Sequence, residues 1–293
     1  MWPDHTSLVE RISAETGLAF EGASGRDADG NRWLEVYPAG HPAGRTFSIR
    51  TIIGWRRVDV CFTPGNFAGE LMRAMGAADE TGRLGFRAIL GVCREAGAEV
   101  VLTVNGVETS PDDPAIWSIN WRRLGLVVRR GMLAINTGDR LEDDRLIAFW
   151  TSRVAAAMLS LLPLEAIDQG DEDAGEDIAG LPEGASKRVE VNRYERDRRN
   201  RAAALAIHGC VCAACGLDMS LRYGPIAAGL IEVHHVTPIS ELGPGYAIDV
   251  RRDLVPLCPN CHSVAHRRIP PYKVEEVRAM YDAFGGAHGQ KAM

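Results

Sequence analysis

Cys212-Ala213-Ala214-Cys215, Ile231-Glu232-Val233-His234-His235-Val236-Thr237-Pro238 and Leu257-Cys258-Pro259-Asn260-Cys261-His262-Ser263-Val264-Ala265-His266 are the three runs on which the reading of this chain turns. Between Cys212 and His266 lie four of the seven cysteines and four of the eight histidines of a 293-residue sequence, far more than even scatter would place there. Each Cys-x-x-Cys knuckle can bite a metal ion through two thiolates, and a pair of knuckles completes a tetrahedral site of the structural zinc type. The 42 residues between the knuckles exceed ordinary ribbon spacing, so a small supersecondary unit must fold inside the staple. Two disulfides or four buried thiols would also use these residues. No run at the N-terminus resembles a secretory signal, and a reducing compartment favours thiolate–metal binding.

The histidines are then left for a second task. A β-branched, apolar run, Leu230 to Val233, leads into His234 and His235, and Pro238 follows, which predicts a strand ending in a turn. Adjacent strand side chains point to opposite faces, so the two imidazoles cannot do the same work. His262 and His266 stand four apart behind Pro259, which suits the start of a helix and places both rings on one face. Such a pair can bite a metal, and one histidine from the strand would complete a three-imidazole site with open positions. Taken singly, each of the four could equally be an exposed or core-satisfied histidine.

Glu232 to Pro238, Asp253 to His262 and the terminal His266 resemble the HNH nuclease motif, a ββα-metal fold stapled by zinc. Within that family the pattern is most similar to the McrA-type modification-dependent restriction endonucleases, and Arg188 to Asp197 together with the Cys212 knuckle is similar to the run leading into their nuclease domain. The resemblance covers about residues 186–285. It implies a structural zinc on Cys212, Cys215, Cys258 and Cys261, and one catalytic divalent metal, Mg²⁺ or Mn²⁺, on His234, His262 and His266. It implies His235 as the general base, a task suited to an imidazole with pKa near about 6.5. The family's middle Asn falls at Asp253, nine residues before His262, where a carboxylate could orient the base, ligate the metal or weaken activity. Asp249 is a nearby substitute.

Length and composition bound the remainder. With 293 residues, 46% apolar and 25% charged, a two-domain globular chain is expected, and no run is long enough to predict a membrane span. Residues 185–293 hold 15 basic against 11 acidic side chains, and the rest of the chain 18 against 28. The C-terminal part is thus mildly basic, as a phosphate-binding module should be, while any nucleic-acid contact of the acidic part should be local. Residues 165–184 carry eight acids and no base among Gly and Pro, the composition of a solvated linker. The expected division is 1–164, an acidic linker over 165–184, and a nuclease domain over 185–293.

The first part is expected to be α+β, with a mostly antiparallel sheet and several helices. Helices are predicted over 7–19, 67–77, 81–96 and 141–162, and strands over 32–37, 46–53, 55–62, 99–104 and most of 116–129. Asn105-Gly106 marks a tight turn. Gly54-Trp55-Arg56-Arg57 and Asn120-Trp121-Arg122-Arg123 echo each other, each with an aromatic beside paired guanidiniums on a predicted strand. Trp55, Arg57, Trp121 and Arg123 are therefore candidates for reading a modified or flipped base, although the pattern also fits core-facing Trp and solvent-facing Arg. Lys187 to Arg201 is basic and leads into a helix over 192–207, whose Arg193, Arg196 and Arg199 suit backbone phosphates or a solvated, ion-paired helix surface.

These observations point to a cytoplasmic, metal-dependent DNA endonuclease. Its substrate would be double-stranded DNA carrying modified bases, its state is compatible with a homodimer, and its N-terminal part would choose the DNA. Two other readings use the same residues: a nuclease effector whose N-terminal part senses a protein or small ligand, and a non-catalytic zinc module.

Overall fold

The computed structural model describes residues 4–164, 197–237 and 246–285. Helix α1 (His5–Thr16) begins where the Asp4 carboxylate accepts the Thr6 N–H at 3.1 Å and ends at Gly17, whose φ of 66° only glycine adopts without cost. Strands β1 (Phe20–Arg26), β2 (Arg32–Pro38), β3 (Phe47–Gly54) and β4 (Arg57–Pro64) follow as a meander. Then come α2 (Gly69–Gly76), α3 (Glu80–Glu95), β5 (Glu99–Val104), β6 (Val107–Thr109), β7 (Leu124–Arg130) and the long α4 (Arg140–Ser160). The sheet is antiparallel throughout, in the order β1-β2-β3-β4-β7-β5-β6. Alternation along the strands buries Ile49, Val58, Val60, Leu126 and Val128 on the face that α1, α3 and α4 cover, and leaves Ser48, Arg50, Ile52 and Cys61 half-exposed on the other.

Two expectations change here. The 116–129 strand is shortened to β7, because Pro114, capped by Asp113, starts a 3-10 turn over Pro114–Ser118. Trp55 is not on a strand either: Trp55 and Arg56 form the β3–β4 turn, with Arg56 at φ 51°.

The C-terminal part opens with α5 (Arg198–His208), capped by Asp197, and continues through α6 (Met219–Tyr223) to β8 (Glu232–His235). A one-turn α7 (Val250–Asp253), β9 (Leu254–Leu257), α8 (Pro259–Ala265) and α9 (Val274–Gly285) complete it. β8 and β9 pair antiparallel with His234 opposite Val255 and His235 opposite Leu254, and α8 packs on both, giving a ββα unit. Ala202 to Ala206 of α5 are buried against α3 and α4, so one continuous apolar cluster joins this part to the sheet domain. The acidic stretch 165–184, Arg193, Arg196 and the tail past 285 lie outside the described residues.

Candidate nuclease site

Cys212, Cys215, Cys258 and Cys261 converge with all four sulfurs within 4.8 Å of one another. The first knuckle is a tight turn in which Gly216, at φ 71°, donates its N–H to the Cys212 carbonyl at 2.9 Å. It is tied to the second knuckle through β9, since the Ala213 N–H donates to the Pro256 carbonyl at 2.8 Å. The second knuckle is the start of α8, where Pro259 occupies the first turn and needs no N–H partner. Cys215 Sγ lies 3.7 Å from Cys258 Sγ. A tetrahedron of Zn–S bonds about 2.3 Å long has an edge of about 3.8 Å, so the spacing fits a zinc ion without rearrangement.

Charge distribution in the cluster fits the same ion. Burial pushes the Cys212 thiol up, but backbone N–H groups of Cys215, Cys258 and Ala214 outweigh burial and hold it below its ordinary value. Burial pushes Cys215 up to about 11, and burial with neighbouring sulfurs raises Cys261 as well. Thiolates held this close repel one another, a repulsion that a dication relieves. This four-cysteine cluster is suited to structural zinc.

On the other side of the unit, His234 projects from β8 toward α8. Its ring centroid is 5.3 Å from that of His262 and 5.0 Å from that of His266, and the latter two are 4.6 Å apart. One nitrogen from each lies within 4.8 Å of the others, so the three could hold a metal ion. His262 Nδ1 is paired with the Glu232 carboxylate, which shares the face of β8 with His234. Glu232 had no role in the sequence reading; its partner lies thirty positions away, and only strand alternation beside a predicted helix hinted at it.

His235 is buried at the end of β8, on the face opposite His234. Its strand partner Leu254 follows Asp253, whose carbonyl accepts the Val236 N–H at 2.8 Å. The buried Asp253 carboxylate accepts the Tyr246 hydroxyl at 2.9 Å and the Asp249 N–H at 2.8 Å, and this contact holds the Tyr246 phenol above its ordinary value. Asp249 itself caps α7 through the Arg251 N–H, so its side chain is committed to the turn.

The DNA-contact candidates fare differently from one another. Trp121 is 0% exposed, stacked on Trp117 at 5.1 Å, and donates its indole N–H to the Ile116 carbonyl at 2.7 Å; no base can reach it. Arg123 is exposed at the start of β7, at the opposite end of the sheet from Trp55 and Arg57, so the two echoed motifs are not brought together. Trp55 is exposed, and Arg57 pairs with Asp59 at 2.6 Å. Arg199 is largely covered and bridges Asp79 at 3.0 Å and Asp197 at 3.3 Å, which makes it an internal pin rather than a free phosphate contact.

The comparisons with known proteins agree with this geometry. Residues 212–268 match the HNH endonuclease family. Over 89 residues the chain is 38% identical to the type IV methyl-directed restriction enzyme EcoKMcrA of Escherichia coli (strain K12), a match covering 29% of this chain and 30% of that protein. No solved structure matches significantly. In matched residues and in ligand arrangement alike, the segment from Cys212 to Arg268 is an HNH endonuclease-family domain.

Proposed function

We propose that the chain is a metal-dependent DNA endonuclease of the restriction type, in which residues 185–293 cut and residues 1–164 select DNA carrying modified bases. The observation that carries this reading is the pairing of two ligand sets in one ββα unit: four sulfurs that fit zinc, and three imidazoles with His235 on the neighbouring strand position. Held by His234, His262 and His266, a divalent ion such as Mg²⁺ or Mn²⁺ would supply positive charge beside the scissile phosphate and the leaving oxygen. His235 accepts a proton from water as the water oxygen attacks phosphorus and the P–O bond to the leaving group breaks. Asp253, fixed by Tyr246 and the Asp249 N–H, braces the loop beside His235. The four thiolates have no part in the chemistry; they fix α8 against β8 and β9.

Selection by modification is supported by the partial likeness to a methyl-directed enzyme and by the size of the N-terminal α+β part. Phosphate contacts made by a small cutting unit position DNA without specifying it, so discrimination needs a second surface. The test is nicking of otherwise identical plasmids, methylated or not, by the full chain with Mg²⁺ or Mn²⁺. Cleavage is expected on the modified plasmid and should fall about 10²–10⁴-fold in His235→Ala. Equal cutting of both plasmids would remove the modification-dependent part, and a fully active His235→Ala would remove the assigned base.

A further inference from the structure

The β3–β4 hairpin ends in a projection that packing does not require. Trp55 is 86% exposed, and Met132 on the adjoining turn is 84% exposed. Both tips are held in fixed left-handed turns, Arg56 at φ 51° and Met132 at φ 60°. The Leu133 N–H donates to the Arg56 carbonyl at 3.0 Å and the Asn136 side-chain amide to the Gly54 carbonyl at 3.3 Å, which clamps one turn to the other. The Arg56 guanidinium lies 5.9 Å from the Trp55 ring centroid. Arg129 and Arg130 stand opposite Asp59 and Val58 at the same end of the sheet. An exposed indole on a rigid turn, with the Arg56 guanidinium beside it, is suited to enter a base stack while that charge meets a phosphate.

Directly beside this projection lies a cavity of about 290 Å³ lined by Arg130, Leu133, Glu142, Arg145, Phe149 and Trp150, among others. Leu133 belongs both to the cavity wall and to the clamp on the hairpin, so wedge and cavity adjoin. Trp150, 3% exposed, backs the cavity wall from the core side of α4. Phe149 and Trp150, with ring centroids 5.1 Å apart, give an aromatic wall; Arg130 adds a guanidinium, and Arg145 and Glu142, paired with each other at 3.6 Å, complete the polar lining. The volume sits near the lower end of small-molecule sites, about 300–1,000 Å³, which admits one planar ring system rather than a dinucleotide.

We propose that this cavity receives a single nucleobase swung out of duplex DNA, with Trp55 filling the space the base leaves. The assignment rests on the reading of the N-terminal part as the one that selects DNA. It accounts for the acidic charge of that part, since a pocket with local arginines can read a base without a broadly basic surface.

The test uses the full zinc-loaded chain without Mg²⁺ or Mn²⁺. Duplexes of one sequence would carry 2-aminopurine beside cytosine, 5-methylcytosine or 5-hydroxymethylcytosine. A several-fold rise in 2-aminopurine fluorescence is expected on a modified duplex. Trp55→Ala should abolish the rise and weaken binding roughly 5- to 150-fold, the range for loss of one stacking contact. Trp150→Phe, which removes the indole N–H together with one ring of the aromatic wall, should narrow the preference between duplexes. Duplex binding that is equal in wild type and Trp55→Ala, with no fluorescence change, would overturn the pocket and leave DNA selection standing. A wild-type chain that binds none of the duplexes would overturn both.

Discussion

A metal-binding histidine needs its other ring nitrogen occupied, or the ring turns and both tautomers compete. At His262 that partner is Glu232, two residues before His234 on the same strand face, so in the proposed site one short strand would supply a ligand and orient another. Glu232→Ala should weaken Mn²⁺ binding about 10- to 100-fold by calorimetric titration, with Glu232→Gln intermediate. Unchanged affinity in a folded variant would assign the carboxylate to some other task. The cysteines outside the knuckles follow a different rule. Burial pushes Cys93 up to about 11 and Cys210 up to about 12, so neither presents a thiolate at neutral pH. Both should resist iodoacetamide at pH 8 in the folded chain and react in denaturant, read by mass spectrometry. At this scale the sequence was legible where chemistry is local: knuckle spacing marked the four sulfurs, and spacing on one helix marked His262 and His266. It was illegible where a side chain's partner is remote. Trp121 and Trp55 sit in near-identical tetrapeptides, yet one indole is locked to Ile116 and the other projects into solvent.

Among elements, the start of α3 is where the two parts of the molecule meet most specifically. Asp79 caps the helix through the Gly82 N–H at 2.7 Å and also receives Arg199 from α5. Burial alone would raise its carboxyl, but the Gly82 N–H and Arg199 outweigh burial and hold it below the ordinary 3.8. A carboxyl lowered by folding stabilises the fold above its unfolded value, and that contribution is lost as pH falls through the lower folded value. Asp79→Ala should therefore cost about 0.5–2 kcal/mol near neutrality. The melting curves of variant and wild type should converge as pH drops below 3.8, and a constant gap down to pH 2 would contradict this account. The same helix explains why its neighbours can approach so closely. A Cβ at Gly82 would stand 2.4 Å from the Ser160 carbonyl, so Gly82→Ala must push α3 away from the end of α4. Most elements could be read from pattern: alternation gave β3 and β4, and Asn105-Gly106 turns with both residues at positive φ. β1 was missed because Phe20 to Arg26 contains two glycines and no β-branched residue. Its strand character comes from pairing with β2, where the Trp33 ring lies over Gly25 and covers the space a side chain would fill.

Across the whole molecule, the acidic stretch at 165–184 suggests two bodies on a tether, but packing among the described residues links them. Ala202 to Ala206 of α5 lie in the same apolar cluster as α3 and α4, Arg199 reaches Asp79, and Arg251 forks onto Glu95 at 2.9 Å. The exposed ion pairs add little stability, so coupling must come from the apolar contact. Zinc held by the four cysteines would enter this contact indirectly. Cys212 and Cys258 belong to the same cluster as Leu205, Leu254 and Leu257, and the knuckles hold those side chains in place. All six tryptophans precede residue 151, so tryptophan fluorescence reports only on the N-terminal part. If the two parts melted independently, stripping zinc would leave that signal untouched. The shared core predicts instead that chelation lowers the tryptophan-monitored Tm. A loss of about 2 kcal/mol in packing corresponds to about 4–8 °C in a molecule of this size. Re-addition of Zn²⁺ should restore it. An unchanged tryptophan transition beside a collapsed C-terminal signal would mean that the alanine face of α5 holds without the staple, and that the two parts answer to zinc separately.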